Sequence, residues 1–350
     1  MFEKILQFPR ERIYRIGISF VLFFILINIC VYAYLPSFKQ TGRASEFFLD
    51  INICNFSDKD LSEIENLIKN DTKDKIFLLG DSIMYGIGIE EKQSVSGNLR
   101  SVQNKYSVYN LSVCGAKPLD FLLWIQYLNE IEPGNKNIYL VQYNYKWFGL
   151  GEDKIENVIS QKKTLQYFKD YLSEDLKTDL NFNPNWFNNF TYFVEKNIPV
   201  VSSKTTLFAL IFRERSKEDL IKHVFFGGNI KPSFEEKKKN FNCRIDYASG
   251  VWEADDFNYK IYLKTLDFIN KNQLNALVFI PAYNEQITGK CQDEKFQYNL
   301  NKFIDDAEVK NVTSAVFVKD IPPELFLDDM HLTEEGSKNF AEKIFSKISQ

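Results

Sequence analysis

The chain has 350 residues, 45% of them hydrophobic and 26% charged, so it can bury a substantial core and is neither disordered nor fibrous. Lys and Arg total 43 against 47 Asp and Glu, a net charge of −4 that offers no basic footprint for nucleic acid. With two histidines, His223 and His331, a three-histidine zinc centre cannot be built.

The N-terminal segment differs from the rest. Residues 1–15 carry Lys4, Arg10, Arg12 and Arg15 against Glu3 and Glu11, and residues 16–35 hold no charge at all. A run of about 20 such residues crosses a bilayer core as a helix, and the basic flank keeps the N-terminus in the cytoplasm. A cleaved signal peptide is the alternative. The run exceeds the roughly 7–15 residues of a signal-peptide core, and no small-x-small site follows it, which favours an uncleaved anchor. Either reading puts the remaining chain outside the cytoplasm, in the periplasm or at the cell surface.

Residues 36–74 read as a polar, membrane-proximal linker with a short amphipathic helix near 61–68. From 75 to 350 short apolar runs alternate with helical patterns. Strands are expected at 76–79, 108–111, 137–142, 276–281 and 315–318. Helices are expected at 90–104, 119–131 and 255–272 and after Thr333, which suits an N-cap. This rhythm predicts a three-layer α/β/α, flavodoxin-like sheet of mainly parallel strands. It breaks between about 145 and 250, a stretch rich in Asn, Lys and Phe that reads as a helical insertion, with a helix at 205–224. Cys30 falls within the apolar run, leaving Cys54, Cys114, Cys243 and Cys291, which allow three pairings; Cys243 with Cys291 is the preferred one. Cys114 reads as a small buried residue rather than a nucleophile.

Two short segments carry chemistry. Gly80-Asp81-Ser82 ends the first strand, and ligands bind at the carboxyl ends of strands in open parallel sheets. A serine entering a turn there exposes its hydroxyl beside backbone N–H groups that can face an anion. The second is Asp328-Asp329-Met330-His331-Leu332-Thr333, before the last helix. A histidine acting as general base needs a carboxylate on its other ring nitrogen, and Asp328 can curl back to supply it, with Asp329 as a rival. Metal ligation by Asp328 and His331 is the poorer reading, and no cofactor is expected. Gly86-Ile87-Gly88-Ile89-Glu90-Glu91 lacks the third glycine of a dinucleotide fingerprint.

In order and spacing these segments resemble the SGNH (GDSL-type) serine hydrolases. The nucleophile block matches Gly80 to Gly86, the second block matches Asn110-Leu111-Ser112-Val113-Cys114-Gly115-Ala116, and the last matches Asp328 to His331. The third block, normally Gly-x-Asn-Asp, falls on Gln142-Tyr143-Asn144-Tyr145, where Gln142 and Tyr145 depart from it. The resemblance implies a Ser82–His331–Asp328 triad and an oxyanion hole from the N–H groups of Ser82 and Gly115 and the Asn144 amide. It also implies an anchored esterase acting on O-acyl esters of an envelope glycan or lipid. An O-acyltransferase using the same acyl-enzyme, served by a membrane acyl-donor protein, is the alternative, as is a non-catalytic scaffold. The segment Leu277 to Gln286 is similar to a strand-Pro-x-x-x-Glu segment of alginate-acetylation-type members, with Glu285 at the acidic position.

Overall fold

The computed structural model describes residues 19, 21–28, 58–87, 89–148, 168–179, 238–243, 251–253 and 256–349. In chain order these form α1 (Asp58–Asn70), β1 (Lys75–Leu79), α2 (Ser82–Tyr85), α3 (Val95–Val102), β2 (Ser107–Asn110), α4 (Pro118–Ile131) and β3 (Ile138–Gln142). There follow α5 (Glu174–Asp179), α6 (Phe257–Lys271), β4 (Asn275–Ile280), α7 (Glu285–Thr288), α8 (Glu294–Val309), β5 (Thr313–Val316) and α9 (Glu334–Ile348).

β1 and β3 are buried at every position, and β4 at every position after Asn275. Such unbroken apolar strands are what a parallel sheet covered on both faces requires. The five strands are ordered β2-β1-β3-β4-β5, and every pairing is parallel. The chain steps outward from β1 to β2, returns past β1 to β3, and continues to β4 and β5. Because crossovers in parallel sheets are right-handed, this reversal sends helices to opposite faces. α3 packs with α9, and α4 packs with α6. The reversal also opens a crevice at the carboxyl ends of β1 and β3, where Ser82 and Asn144 lie.

The expected linker ends earlier than residue 74. On α1, Ile64 and Ile68 are buried in the core at 1% and 0% exposure. Tyr127 Oη donates to Glu65 of the helix at 2.7 Å, and just beyond it Tyr109 Oη donates to Asp71 at 2.7 Å. Lys75 is buried too, and its ammonium donates to the carbonyls of Asp71 and Lys73 and to Glu132 Oε1 at 2.9–3.0 Å. The amphipathic helix is therefore a wall of the sheet domain, because its apolar stripe has a hydrophobic face to cover.

α8 was not among the expected elements. Its buried Phe296, Leu300, Phe303 and Ala307 fall at helical spacing behind the Asp293 N-cap, but acidic and amide residues dilute the stripe. Thr333 does cap α9, accepting from Gly336 N at 3.1 Å.

Cys243 and Cys291 form a disulfide with Cα atoms 5.3 Å apart. Cys114 is disulfide-bonded and half-buried, which corrects its reading as a small buried residue: the loop after β2 does not sink it in the core.

The chain divides into two compact units, residues 1–39 with 184–228, and residues 40–183 with 229–350. In the first unit residues 21–28 are helical, with the apolar side chains from Val21 to Leu26 exposed. Among the described residues no helix is long and apolar enough to cross a membrane. The rest of the expected 16–35 span lies outside them, as do the 205–224 helix and most of the 145–250 insertion. What is described of that insertion joins the core of the second unit: Phe168 meets Trp124 at 5.2 Å between ring centroids, and Leu172 and Leu176 are buried.

Replacing Ile68 by Ala in the full-length chain is predicted to cost about 2–5 kcal/mol, as for other buried aliphatic truncations, read as a shift in the denaturant midpoint. A linker helix would lose no more than about 0.5 kcal/mol.

Candidate active site

β1 ends at Leu79, and Gly80 lets two neighbours approach. A Cβ there would lie 2.6 Å from both Gln142 Oε1 and Met84 Cγ, so only glycine fits. Asp81 then caps the short α2, accepting from Ile83 N at 2.9 Å, and Ser82 opens the helix. Ser82 is half-buried and its Oγ lies 2.8 Å from His331 Nε2.

His331 comes from the other end of the chain. A tight reversal, with Leu327 N donating to His331 O at 2.6 Å and Phe326 bridged to Leu332, folds Asp328 back onto the imidazole. His331 Nδ1 lies 3.0 and 2.9 Å from the two Asp328 oxygens. The carboxylate also accepts from the N–H groups of Met330 at 3.1 Å and His331 at 2.8 Å. Burial pushes the Asp328 carboxyl up, but the hydrogen bond and charge of His331, with those two N–H groups, outweigh it and hold it well below the usual carboxylate range. Asp329 is the reverse: burial, then the neighbouring Asp328 charge, push its carboxyl above the ordinary value. Between the rivals, the geometry brings Asp328 to the imidazole.

Of the predicted oxyanion donors, Asn144 is tied to the Ser82 turn through Asp81, and Gly115 lies in the loop after β2, whose Val113 N donates to Gly80 O at 3.0 Å. Gly115 sits at φ +71°, a left-handed conformation that favours glycine, and a Cβ there would meet nothing within 4 Å, so the space before it is open. Among the described residues the N–H groups of Ser82 and Gly115 have no acceptor. Asn144 is buried. Its Oδ1 accepts from Tyr283 Oη at 2.9 Å and from Lys146 N at 3.2 Å, and its Nδ2 donates to Asp81 Oδ2 at 2.8 Å. Its other amide hydrogen is directed at Met330 Sδ, 3.9 Å away.

The departures in the third block have visible roles. Gln142 spans Asp81, accepting from its N–H at 3.2 Å and donating to Oδ1 at 2.9 Å, in the room that Gly80 leaves. Asp81 therefore holds a buried carboxylate with three N–H donors, from Ile83, Gln142 and Asn144, which is how a buried charge is tolerated. Tyr145 points into the core, its ring tilted 51° against that of Phe296 at 4.4 Å between centroids, with its Oη accepting from Asn299 at 2.8 Å. Burial pushes the Tyr145 phenol up to about 12.

Two positioning residues escaped the sequence. Asn284 is fully buried after β4 and clamps the Asp328–His331 loop. Its Nδ2 donates to the carbonyls of Asp328 at 3.1 Å and Pro323 at 3.3 Å, and its N–H donates to Asp329 O at 2.9 Å. Tyr283, beside it, holds Asn144. Glu285, which the segment resemblance singled out, is instead exposed and pairs with Lys319 at 2.9 Å. Among the described residues no group of three His, Cys, Asp or Glu could hold a metal ion.

No protein-family model matches the sequence, and no curated protein does. Solved structures to which the chain is similar include a chain described as a lipolytic protein of the G-D-S-L family from Desulfitobacterium hafniense DCB-2. It has 8% identity and a TM-score of 0.39, over 78% of this chain and 98% of that one. A carbohydrate acetylesterase from Sinorhizobium meliloti has 12% identity and a TM-score of 0.33, over 79% and 99%. An alpha/beta hydrolase enzyme from the metagenome of Lake Arreo, Spain, has 9% identity and a TM-score of 0.37, over 80% and 97%. At these values the likenesses carry no argument about chemistry, which rests on the residues described above.

Asp328 and Asp329 are predicted to separate cleanly when each is changed to Asn. Asp328→Asn should lower kcat for an ester by about 10⁴-fold, as loss of the imidazole's orienting carboxylate does elsewhere, and Asp329→Asn by less than about tenfold. Stability should move in opposite directions in the two variants. The depressed folded pKa of Asp328 stabilises the protein above its ordinary value of 3.8, and that contribution is lost as pH falls through the folded value. The raised folded pKa of Asp329 destabilises the protein at neutral pH and does so no longer below 3.8. Thermal melts should therefore show Asp329→Asn more stable than wild type at pH 7, with the gain fading on acidification, and Asp328→Asn less stable.

Proposed function

We propose that this chain is an SGNH-type serine esterase held at the membrane by its N-terminal segment, acting outside the cytoplasm on O-acyl esters of an envelope glycan or lipid. The observation that carries the reading is the continuous line from Ser82 Oγ to His331 Nε2 at 2.8 Å and from His331 Nδ1 to Asp328 Oδ2 at 2.9 Å. That is nucleophile, general base and orienting carboxylate in hydrogen-bond reach.

Ser82 gives its proton to His331 Nε2 as Oγ attacks the ester carbonyl. The tetrahedral oxyanion is held by the N–H groups of Ser82 and Gly115 and by the amide hydrogen of Asn144 that Asp81 does not take. Donors aimed at charge that exists only in the transition state are worth about 10²–10³ in rate apiece. His331 passes its proton to the leaving alcohol, water then gives a proton to His331 while attacking the acyl-enzyme, and Ser82 is regenerated. Asp328 keeps the imidazole in the tautomer that makes Nε2 the base. The uncharged run at 16–35 behind a basic flank supports the anchor and the orientation. The envelope substrate follows from that location.

The test follows p-nitrophenol release from p-nitrophenyl acetate by the purified full-length chain and by Ser82→Ala. Steady turnover is expected, falling by about 10⁶-fold without the nucleophile. A stoichiometric burst that stalls would favour acyl transfer awaiting an acceptor. Equal release by both proteins, or none, contradicts the reading. In cells, Ser82→Ala should raise the ester content of the envelope.

A further inference from the structure

Two of the oxyanion donors are backbone N–H groups on different segments: Ser82 opens α2, and Gly115 lies in the loop after β2. Such donors stabilise the developing charge when both lie about 2.7–3.1 Å from one oxygen, so the spacing between the two segments matters as much as either donor. The β1–β2 ladder sets part of that spacing, with Leu111 N donating to Leu78 O at 2.9 Å and Val113 N to Gly80 O at 3.0 Å. It does not reach α2, a single turn of four residues that is too short to hold its own shape. Asp81 fastens the start of that turn.

Asn110, the last residue of β2, is fully buried and fastens the other end. Its Nδ2 donates at 2.9 Å to Met84 O, a carbonyl past the reach of the helix's own N–H groups. Nδ2 also donates to Ser96 Oγ on α3 at 3.1 Å, and Oδ1 accepts at 3.1 Å from Ser112 N, three residues before Gly115. Ser112 offers an N–H and Met84 a carbonyl, so one orientation of the amide satisfies both. Ser96 Oγ in turn donates to Glu91 Oε1 at 3.2 Å, and Glu91 pairs with Arg100, which anchors the third contact in a polar network on α3. Buried this fully, Asn110 acts through its neighbours and not on a substrate.

We propose that Asn110 is a positioning residue of the oxyanion hole, joining the far end of α2 to the loop that carries Gly115 and so setting the spacing between the Ser82 and Gly115 N–H groups. The proposal rests on the ester-cleaving reading of Ser82 and His331.

The experiment follows p-nitrophenyl acetate hydrolysis by the full-length chain, wild type, Asn110→Asp and Asn110→Ala, with rates expressed per active site titrated by a fluorophosphonate. It also measures inhibition by a trifluoromethyl ketone, whose hemiketal oxygen occupies the oxyanion hole. The aspartate keeps an acceptor for Ser112 N but turns an oxygen toward the Met84 carbonyl, and the alanine removes every contact. Both are expected to lower kcat about 10²-fold, the size of one misplaced oxyanion donor, with KM changed less than about threefold. The inhibition constant of the ketone should rise by the factor by which kcat/KM falls, which a loss of stability alone does not produce. Ile68→Ala, destabilised in α1, is the control and should keep the wild-type kcat and ketone affinity. Unchanged kcat and ketone affinity in the folded Asn110 variants, or equal losses in Ile68→Ala, overturn the proposal. Where neither Asn110 variant folds by circular dichroism, hydrogen exchange in the wild type decides. A Ser112 amide exchanging as slowly as those of β2 supports the tie, and one exchanging as an open loop overturns it. A wild type without Ser82-dependent turnover overturns the ester-cleaving reading and this one with it.

Discussion

The contact between Ser82 Oγ and His331 Nε2 joins residues 249 positions apart, and most of the sheet domain serves to hold it. β1 must be central, so that the serine at its end looks into the crevice rather than over an edge. The loop before α9 must return to the same crevice after four crossovers. A hydrogen bond of 2.8 Å tolerates little error, and a displacement of about 1 Å at a reacting centre can cost 10²-fold in rate. Close approaches on both sides fix the geometry. Gly80 admits Gln142, and Gly336 admits the Leu325 carbonyl, which a Cβ would meet at 2.3 Å.

Asp81 is the second constraint. A carboxylate this deeply buried is tolerable only with its acceptor sites filled, and its donors are parts of the site itself: the α2 backbone, Gln142 and Asn144. The charge therefore ties the nucleophile turn to the end of β3 and presents the Asn144 amide to the crevice. Tyr283 and Asn284 carry the tie onward, one to Asn144 and the other to the carbonyls of the Asp328–His331 loop. A chain of polar side chains at the strand ends thus connects the Ser82 turn with the Asp328–His331 loop, and of its members only Asn144 has a part in the proposed chemistry.

The parallel sheet was legible because its strands are short apolar runs between helical patterns; Ser82 and Asp328–His331 stood out as short motifs beside such runs, while Gly115 and Asn144 entered only through the resemblance to SGNH hydrolases. What escaped is what has no local pattern. Gln142 looked like a departure because its partner is the Asp81 carboxylate 61 positions away. Asn284 acts through backbone carbonyls 39 and 44 positions downstream, which leave no mark in side-chain chemistry. α1 passed for a linker because its polar face dominates the composition, while only a few aliphatic side chains reach the core.

The turn at the end of β1 is proposed to hold an activated serine. The most direct measurement treats the full-length chain with a fluorophosphonate and maps the adduct by peptide mass spectrometry. One stoichiometric adduct is expected, on Ser82, its formation slowing by orders of magnitude in His331→Ala while the protein stays folded by circular dichroism. No adduct on Ser82, or labelling at the same rate without His331, would contradict it.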